Sequence, residues 1–232
     1  MKPSTSFLDS LNEGYSNLSP MEIIEQSIND VFKNEIAYVC SFGTESAIIL
    51  HMISKTEKNL PIILINTNFL FDETLKYKNY LLKKLKLKNF IEIFPDQTDL
   101  YSEDSNNILW RTDQDRCCNI RKVLPLQKEL KKFKAWISGR KSYHNGERRN
   151  LKPTEILNRK IVVNPLANIK KDFVDSYFEK ENIDRHPLYE KGYLSIGCIH
   201  CTQKAINPND PRSGRWSDKI KTECGIHYDL EK

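Results

Sequence analysis

The sequence predicts an α/β protein in which a parallel β-sheet lies between helices. Short apolar runs alternate with segments of helical periodicity in the first part of the chain, and these runs cover residues 36–40, 61–65 and 90–94. Continuous apolar runs of this length are typical of strands that are buried on both faces, as in parallel sheets. Strands that alternate with helices imply βαβ units, so helices are expected on both sides of the sheet.

Capping patterns and periodicity place the helices. Ser19 and Glu22 form a capping-box pattern around Pro20, which predicts a helix from there to about Phe32. Residues 1–18, which precede this helix, are expected to form a loosely ordered arm. Further helices are predicted at about 47–52, 72–85, 113–132 and 171–179.

Two more strands are predicted in the second half of the chain, at residues 134–138 and 161–163. Residues 95–112 and the charged segment 140–152 are expected to be irregular. The helix at 113–132 should kink before Pro125, because proline lacks a backbone N–H. The predicted organisation is an arm, an α/β domain and a mobile, loop-rich catalytic tail, at residues 1–18, 19–203 and 204–232.

The composition is that of an ordinary soluble protein. Among 232 residues, 39% are hydrophobic and 29% are charged, with a net charge of +5. No apolar run approaches the roughly 20 residues that span a bilayer, and the polar N-terminus has no signal-peptide core. We therefore expect a cytoplasmic protein without a membrane partner. The basic residues form no stripe with interleaved aromatics, so no nucleic-acid partner is expected.

The loop after the first predicted strand has the features of an anion-binding turn. It reads Ser-Phe-Gly-Thr-Glu-Ser at residues 41–46 and opens a helix, where free backbone N–H groups and the helix dipole attract phosphate or sulfate. An ordinary strand-to-helix turn is the alternative. Asn66 follows the second strand at the same edge of the sheet, where ligands bind in open α/β sheets. A simple helix N-terminus is the alternative there.

Six cysteines give the strongest functional signal. Cys117 and Cys118 are adjacent, and Cys198 and Cys201 form a C-x-x-C pair, so these four can supply thiolates to one metal centre. Adjacent residues on a helix diverge by about 100°, which suits the irons of a cluster better than one tetrahedral zinc. A [4Fe-4S] cluster is therefore predicted, and structural zinc is the alternative.

The remaining cysteines have different contexts. Cys224 lies in Glu-Cys-Gly-Ile-His and is the candidate nucleophile, with His227 among the cations that could favour its thiolate. Cys40 ends a buried strand and is interpreted as a core residue. Lys122 follows Cys118 by one helical turn, so it is placed to compensate thiolates or to reach a substrate anion. An ordinary solvated lysine is the alternative.

Together these motifs resemble the assimilatory sulfonucleotide reductases in their iron–sulfur form, within the PP-loop superfamily. Residues 41–46 resemble the Ser-Gly-Gly-x-Asp-Ser loop, with Phe42 and Glu45 in place of Gly and Asp. The resemblance covers roughly residues 35–228. Its most specific motifs, in order, are Cys-Cys-x-x-Arg-Lys at 117–122, Ser-Ile-Gly-Cys-x-x-Cys-Thr at 195–202 and Glu-Cys-Gly-Ile-His at 223–227.

The resemblance implies an enzyme of assimilatory sulfate reduction and cysteine biosynthesis that reduces adenylyl sulfate, or its 3′-phosphorylated relative, to sulfite. Cys224 would attack the substrate sulfur to give Cys–S–SO₃⁻, and thioredoxin or a similar dithiol reductant would release sulfite. The family pattern also implies a [4Fe-4S] cluster with a positioning and electrostatic role. It leaves open whether the chain forms a homo-oligomer.

By the same resemblance, cations must converge on a polyanionic substrate, and arginine suits it because its planar fork can bind two oxygens. Lys122 and His227 are expected beside the nucleophile, and Arg149 is the alternative to Arg148. A PP-loop ATP pyrophosphatase and a zinc-bound RNA-binding module stay open as other functions. The candidate substrate-binding residues are Ser41, Gly43, Thr44, Asn66, Arg140, Arg148, Arg212 and Arg215.

Overall fold

The strands of this computed structural model form a single mixed sheet within the residues it describes, 3–144, 148–216 and 221–228. The strands are β1 Ile36–Val39, β2 Ile62–Ile65, β3 Phe90–Ile93, β4 Ala135–Ile137, β5 Thr154–Leu157 and β6 Lys160–Val163. Their order is β3-β2-β1-β4-β6-β5, and every neighbouring pair is parallel except β5 with β6. The predicted parallel sheet is confirmed. The pattern did not predict β5, which forms an antiparallel edge.

Helices precede or follow most of these strands, as the βαβ prediction requires. A π-helical turn, Asn119–Val123, lies just ahead of Pro125, where the sequence predicted a kink. Hydrogen bonds in a π-helical turn span five residues instead of four, and this irregular spacing accommodates a proline, which has no N–H to donate. The α-helices are α1 Thr5–Tyr15, α2 Pro20–Gln26, α3 Ser46–Thr56, α4 Asp72–Lys84, α5 Gln97–Glu103, α6 Leu109–Thr112, α7 Gln114–Cys118, α8 Leu124–Leu130 and α9 Lys171–Lys180.

Strand side chains alternate between two buried layers, because successive residues of a strand point to opposite faces. Ile36 and Tyr38 belong to one apolar cluster with residues of α1, α2, α3, α4 and α9. Ala37, between them, belongs to a second cluster with Leu126 and Leu130 of α8. The sheet is therefore covered on both faces, and α8 together with the cysteine-bearing α7 is on the second one.

Two segments expected to be irregular are helical. The predicted arm contains α1, which Ser4 caps by accepting from the Phe7 N–H, and whose Leu11 and Tyr15 are buried. The Tyr15 hydroxyl lies 2.8 Å from Ser27 Oγ, so the helix is fixed to the domain. The prediction of a loosely ordered arm was wrong because contacts with the rest of the domain stabilise a short helix that its local pattern does not predict.

The polar segment 95–112 contains α5 and α6. Asp96 caps α5 by accepting from the Thr98 N–H at 2.8 Å. The buried carboxylate of Asp104 pairs with Arg121 at 2.6 Å, which ties this segment to the cysteine-bearing helix. The segment was expected to be irregular because it has no apolar stripe. A tertiary ion pair stabilises it instead.

The sheet has its switch point between β1 and β4, because the chain leaves β1 toward β2 on one side while β4 lies on the other. Ligands in open α/β sheets bind in the crevice that such a switch creates at the carboxyl ends of the strands. Among the described helices, none is long and apolar enough to cross a membrane.

Candidate active site

A cavity lies at the carboxyl ends of β1 and β4, at the switch point of the sheet. It holds about 1140 Å³ of empty space, part of it open to solvent. Segments that are remote in sequence converge there: the loop after β1, the loop after β4, residues 194–198 and the C-terminal tail. The predicted site residues that line it are Ser41, Gly43, Thr44, Lys122, Arg140, Arg148, Arg212, Arg215, Cys224 and His227.

The loop of residues 41–46 wraps one end of this cavity. Phe42 adopts a positive φ of 50° and its side chain is fully buried, so the bulky residue is an anchor beneath the loop. The Gly43 N–H donates to Ser41 Oγ at 3.4 Å, and the Thr44 hydroxyl donates to the Leu194 carbonyl at 2.9 Å. This loop therefore holds the segment that leads to Cys198, as well as bordering the cavity.

Glu45 organises a cluster that the sequence did not predict. Its carboxylate pairs with Lys141 at 2.6 Å and accepts a hydrogen bond from the Tyr143 hydroxyl at 2.7 Å. His144 Nε2 lies 3.5 Å away. Burial acts to raise the pKa of Glu45, but Lys141 and His144 lower it well below its ordinary value. The cluster fixes the loop after β4 against the loop after β1.

Arg140 and Arg148 line the cavity but are both engaged by carboxylates. Arg140 pairs with Glu155 of β5, the strand that the sequence did not predict. Arg148 donates two hydrogen bonds to Glu223, from Nε at 2.5 Å and from Nη2 at 2.8 Å. Arg149, by contrast, is exposed, so the structure favours Arg148 as the cavity residue.

Arg212 approaches the same carboxylate. Its Nη2 lies 3.2 Å from Glu223 Oε1 and donates to the Thr222 carbonyl at 2.8 Å. Burial, together with the neighbouring Arg148, lowers the pKa of Arg212 to about 10. Burial acts to raise the pKa of Glu223, but the positive charges around it, including both arginines, lower it well below its ordinary value. This part of the cavity is therefore a closed ion cluster.

Arg215 is held differently. Its Nε donates to the Cys201 carbonyl at 3.0 Å, and its guanidinium lies 4.2 Å from the Trp216 ring centroid. A Cβ at Gly197 would lie 2.5 Å from Arg215 Nη2, so the glycine in Ser-Ile-Gly-Cys makes room for the guanidinium. Among the described residues, Arg215 has no carboxylate partner.

Cys224 is half-buried, and its sulfur lies 3.8 Å from Lys122 Nζ. A hydrogen bond from the Cys118 thiol lowers the pKa of Cys224 well below its ordinary value; burial opposes this shift and the charge of Lys122 adds to it. The same hydrogen bond raises the pKa of Cys118. A Cβ at Gly225 would lie 3.3 Å from Cys118 Cβ, so glycine makes this close approach easier.

His227 closes the cavity from the tail. Its ring stacks on Trp136 with centroids 5.8 Å apart, and burial, followed by the nearby charge of Arg140, lowers its pKa well below the ordinary value. Its Nδ1 has no hydrogen-bond partner within the described part of the chain. A buried, unsatisfied nitrogen at a cavity wall is a place for a ligand donor or acceptor.

The four cysteines predicted as ligands line a second, smaller cavity behind Lys122. Burial, with Cys198 close by, raises the pKa of Cys117 to about 12, and burial also raises that of Cys201. The Thr67 hydroxyl lies 3.2 Å from the Cys198 sulfur. In the described ranges, no group of three or more His, Cys, Asp or Glu side chains is placed to hold a metal ion. The donor set nevertheless fits a thiolate-bound cluster, because all four sulfur-bearing residues share one enclosed space.

Asn66 was predicted to bind the substrate, and Cys40 was predicted to be a core residue. Asn66 is not part of the described cavity lining; its amide donates to Glu92 at 2.8 Å and its carbonyl accepts from the Asn68 N–H at 3.1 Å. Cys40 is buried, and burial raises its pKa to about 12. It therefore holds a protonated thiol at neutral pH, as expected for a core residue.

Comparison with known proteins identifies the family of this chain. Residues 35–204 match the family model described as the phosphoadenosine phosphosulfate reductase domain. An adenosine 5′-phosphosulfate reductase of Mesorhizobium japonicum is 41% identical over 213 residues, which cover 92% of this chain and 84% of the relative. One of Bacillus cereus is 38% identical over 203 residues, covering 85% and 86%. The chain therefore belongs to the phosphoadenosine phosphosulfate reductase family.

Solved structures agree with the fold. The phosphoadenylyl-sulfate reductase of Candida auris, in a phosphate complex, has a TM-score of 0.73 and 26% identity, over 88% of this chain and 99% of that one. Yeast FAD synthetase has a TM-score of 0.55 at 13% identity, over 85% and 74%, which shows a shared fold alone. The predicted family and its PP-loop type of α/β fold are confirmed.

Proposed function

We propose that this chain reduces adenylyl sulfate to sulfite and AMP, with Cys224 as the nucleophile and a dithiol such as thioredoxin as the electron donor. The single observation that carries this proposal is the thiol of Cys224 beside Lys122 in the cavity at the switch point of the sheet. An ammonium next to a thiol favours the thiolate and so activates it as a nucleophile. The relatives of Mesorhizobium japonicum and Bacillus cereus, both adenosine 5′-phosphosulfate reductases, support adenylyl sulfate as the substrate.

The reaction balances in two steps. The Cys224 thiolate attacks the sulfur of the sulfonucleotide, an S–S bond forms, the S–O bond to the phosphate breaks, and AMP leaves with the bonding electrons. A thiol of the reductant then attacks the Cys224 sulfur and expels sulfite. The second thiol of the reductant resolves the mixed disulfide, so that the reductant is oxidised and Cys224 returns as a thiolate. Two electrons from the dithiol thus reduce the sulfonate sulfur to sulfite.

Charge distribution suggests which cations meet the substrate. Lys122 and Arg215 are the two cavity cations without a carboxylate partner among the described residues, whereas Arg140, Arg148 and Arg212 each have one. An anion gains most from cations whose charge is not already neutralised. We therefore assign the phosphosulfate to Lys122 and Arg215. Because the loop at 41–46 borders the cavity and opens a helix, we also assign contacts to the nucleotide to this loop.

The four cysteines at 117, 118, 198 and 201 would hold a [4Fe-4S] cluster. When bound, such a cluster supplies a fixed charge next to Lys122 rather than the electrons, because the dithiol provides those. Lys122 then lies between the cysteine cavity and Cys224 and can transmit that charge to the nucleophile. The action on a small-molecule substrate with a thiol reductant is consistent with a reducing cytoplasm.

The test is a single turnover without reductant. Holoenzyme incubated with adenylyl sulfate should release one AMP per chain and gain one SO₃ unit on the peptide that contains Cys224, read by mass spectrometry. An adduct on Cys40, or AMP release without any adduct, would overturn the assignment. Parallel turnover with 3′-phosphoadenylyl sulfate decides the substrate: a higher kcat/KM for that nucleotide would contradict adenylyl sulfate as the preferred one.

A further inference from the structure

Glu223 immediately precedes the proposed nucleophile and is the most highly coordinated carboxylate in the cavity. It accepts two hydrogen bonds from Arg148, at 2.5 and 2.8 Å, and one from Arg212 at 3.2 Å. The Glu223 side chain is only 4% exposed. A two-pronged arginine–carboxylate contact shielded from water is both stronger and more specific in geometry than a surface ion pair.

The same carboxylate orients the backbone that carries the nucleophile. The N–H of Cys224 donates to Glu223 Oε1 at 2.8 Å. Arg212 also donates to the Thr222 carbonyl at 2.8 Å, so one guanidinium holds both the side chain and the backbone before Cys224. Three segments, which contain Arg148, Arg212 and Glu223, are thus linked at one point.

The polar contacts of Lys221 and Tyr228 are weaker anchors for Cys224. Lys221 pairs with Asp115, whose side chain is 83% exposed. Asn158 donates to the Tyr228 carbonyl at 3.3 Å. Exposed ion pairs contribute little, typically about 0–1 kcal/mol. After Cys224, Ile226 packs against the second apolar cluster and His227 stacks on Trp136. Directly before Cys224, the buried polar contact that can hold the thiol next to Lys122 is the one made by Glu223.

We propose that Glu223 is a positioning residue, whose pairing with Arg148 and Arg212 seats the tail so that Cys224 is in the cavity before the substrate arrives. This inference rests on the proposed function, which identifies Cys224 as the nucleophile. It gives Arg148 and Arg212 a second task besides the substrate binding that the sequence predicts for them. The thiol must also leave the cavity to meet a protein reductant, so breaking this contact is the step that frees it.

The test measures how often Cys224 leaves the cavity. Holoenzyme without substrate is treated with a polymer-linked maleimide that is too large for the cavity, and labelling is mapped to the peptide that contains Cys224. Glu223→Gln keeps the shape and removes the charge, and it should accelerate this labelling about tenfold or more, since charge-assisted hydrogen bonds are lost. Glu223→Asp keeps the charge and should restore at least part of the protection. Rates are normalised to the same chains after unfolding.

Matched variants separate positioning from general loosening. Glu181 directly follows α9, and its carboxylate lies 2.8 Å from Lys55 Nζ. Glu181→Gln removes this ion pair and should leave labelling unchanged. Arg148→Gln should accelerate labelling as Glu223→Gln does, and the double variant should be no faster than the faster single one. Additive effects in the double variant would contradict a shared contact.

A second experiment measures the rate of adduct formation and the affinity for AMP. In Glu223→Gln, single-turnover formation of the adduct should slow while the Kd for AMP stays within about twofold, because the change acts on the thiol and not on the nucleotide. Equal labelling of wild type and variant would overturn the proposal. So would tighter AMP binding with faster adduct formation, since Glu223 would then be a blocking group. Labelling needs no turnover, so it gives an answer even if the proposed reaction fails.

Discussion

The two sides of the active-site cavity use basic residues for different purposes. We call them the arginine side, with Arg140, Lys141, Arg148 and Arg212, and the cysteine side, with Lys122, Arg215 and Cys224. On the arginine side, every cation has a carboxylate partner, and the pairs join separate segments of the chain. On the cysteine side, Lys122 contacts the Cys224 sulfur and Arg215 contacts a backbone carbonyl and an indole ring. The pairs of the arginine side are Arg140–Glu155, Lys141–Glu45, Arg148–Glu223 and Arg212–Glu223.

This difference shows that a cluster of basic residues does not by itself define an anion site. A buried cation that already has a carboxylate within hydrogen-bond distance contributes to the architecture, and removing its partner leaves an uncompensated charge. A buried cation that faces sulfur or a neutral acceptor keeps its charge for a substrate. We therefore expect changes on the arginine side to affect stability and tail position, and changes on the cysteine side to affect chemistry.

The largest expected effect is on the cysteine side. Cys224→Ser should lower sulfite production below detection, because a hydroxyl is far less acidic than a thiol and a much poorer nucleophile toward sulfur. The absorbance of the proposed [4Fe-4S] cluster and the Kd for AMP should stay at wild-type values. Sulfite assays, visible spectra and calorimetric titration with AMP check this. A serine variant that still makes sulfite would remove Cys224 from the reaction.

The next effect tests the arginine side. Glu45→Gln leaves the buried Lys141 without its partner and should lower the free energy of unfolding by about 3–5 kcal/mol at neutral pH. Because the fold lowers the pKa of Glu45, its ionised form stabilises the native state above the ordinary value of 4.5, and this stabilisation is lost as pH falls below it. The difference between variant and wild type in urea unfolding should therefore narrow in acid. A difference that is small at neutral pH would contradict a structural role for the pair.

Arg215→Ala should have a mainly chemical effect. Loss of a charge-assisted hydrogen bond to the substrate costs about 1.5–3 kcal/mol, which lowers kcat/KM by roughly 10- to 150-fold. Iron content should be unchanged. Arg149→Ala, which removes an exposed arginine outside the cavity lining, is the matched control and should have wild-type kinetics. Equal kinetics for the two variants would show that Arg215 does not meet the substrate.

The smallest expected effect, that of Gly197→Ala on kcat/KM, tests whether the position of the Arg215 guanidinium matters for the substrate. A Cβ at Gly197 would lie 2.5 Å from Arg215 Nη2, so Gly197→Ala should displace the guanidinium without removing it. We expect kcat/KM to fall by less than in Arg215→Ala, because the guanidinium is displaced but not removed. Combined with Arg215→Ala, the substitution should add nothing further. If the two losses multiply, Gly197 acts on something other than Arg215.

Local patterns were sufficient for much of the fold. The capping box at Ser19 and Glu22 is present as predicted, and the apolar runs are β1, β2 and β3. These signals lie within a few residues of one another, so no knowledge of distant contacts is needed. Helix α1 was missed for the opposite reason, because a partner that stabilises it is far along the chain. The side chain of Asn12 in α1, for example, bonds the backbone of Thr154 in β5. Strand β5 was missed although its partner β6 begins only three residues after it ends.

By itself, the sequence determined the chemical inventory of this protein: an α/β sheet, a loop of the kind that binds anions, and a set of basic residues. It also showed four cysteines with the spacing of metal ligands, one in the context of a nucleophile and one in a buried strand. Residue type and spacing are enough for that, because they dictate which groups can ionise, ligate or attack. Only the tertiary structure decided what each cation does. Whether an arginine binds a substrate or a carboxylate depends on which acid the fold brings within about 3 Å. Glu45, Glu155 and Glu223 reach their cations across long stretches of chain, and no local pattern encodes those distances.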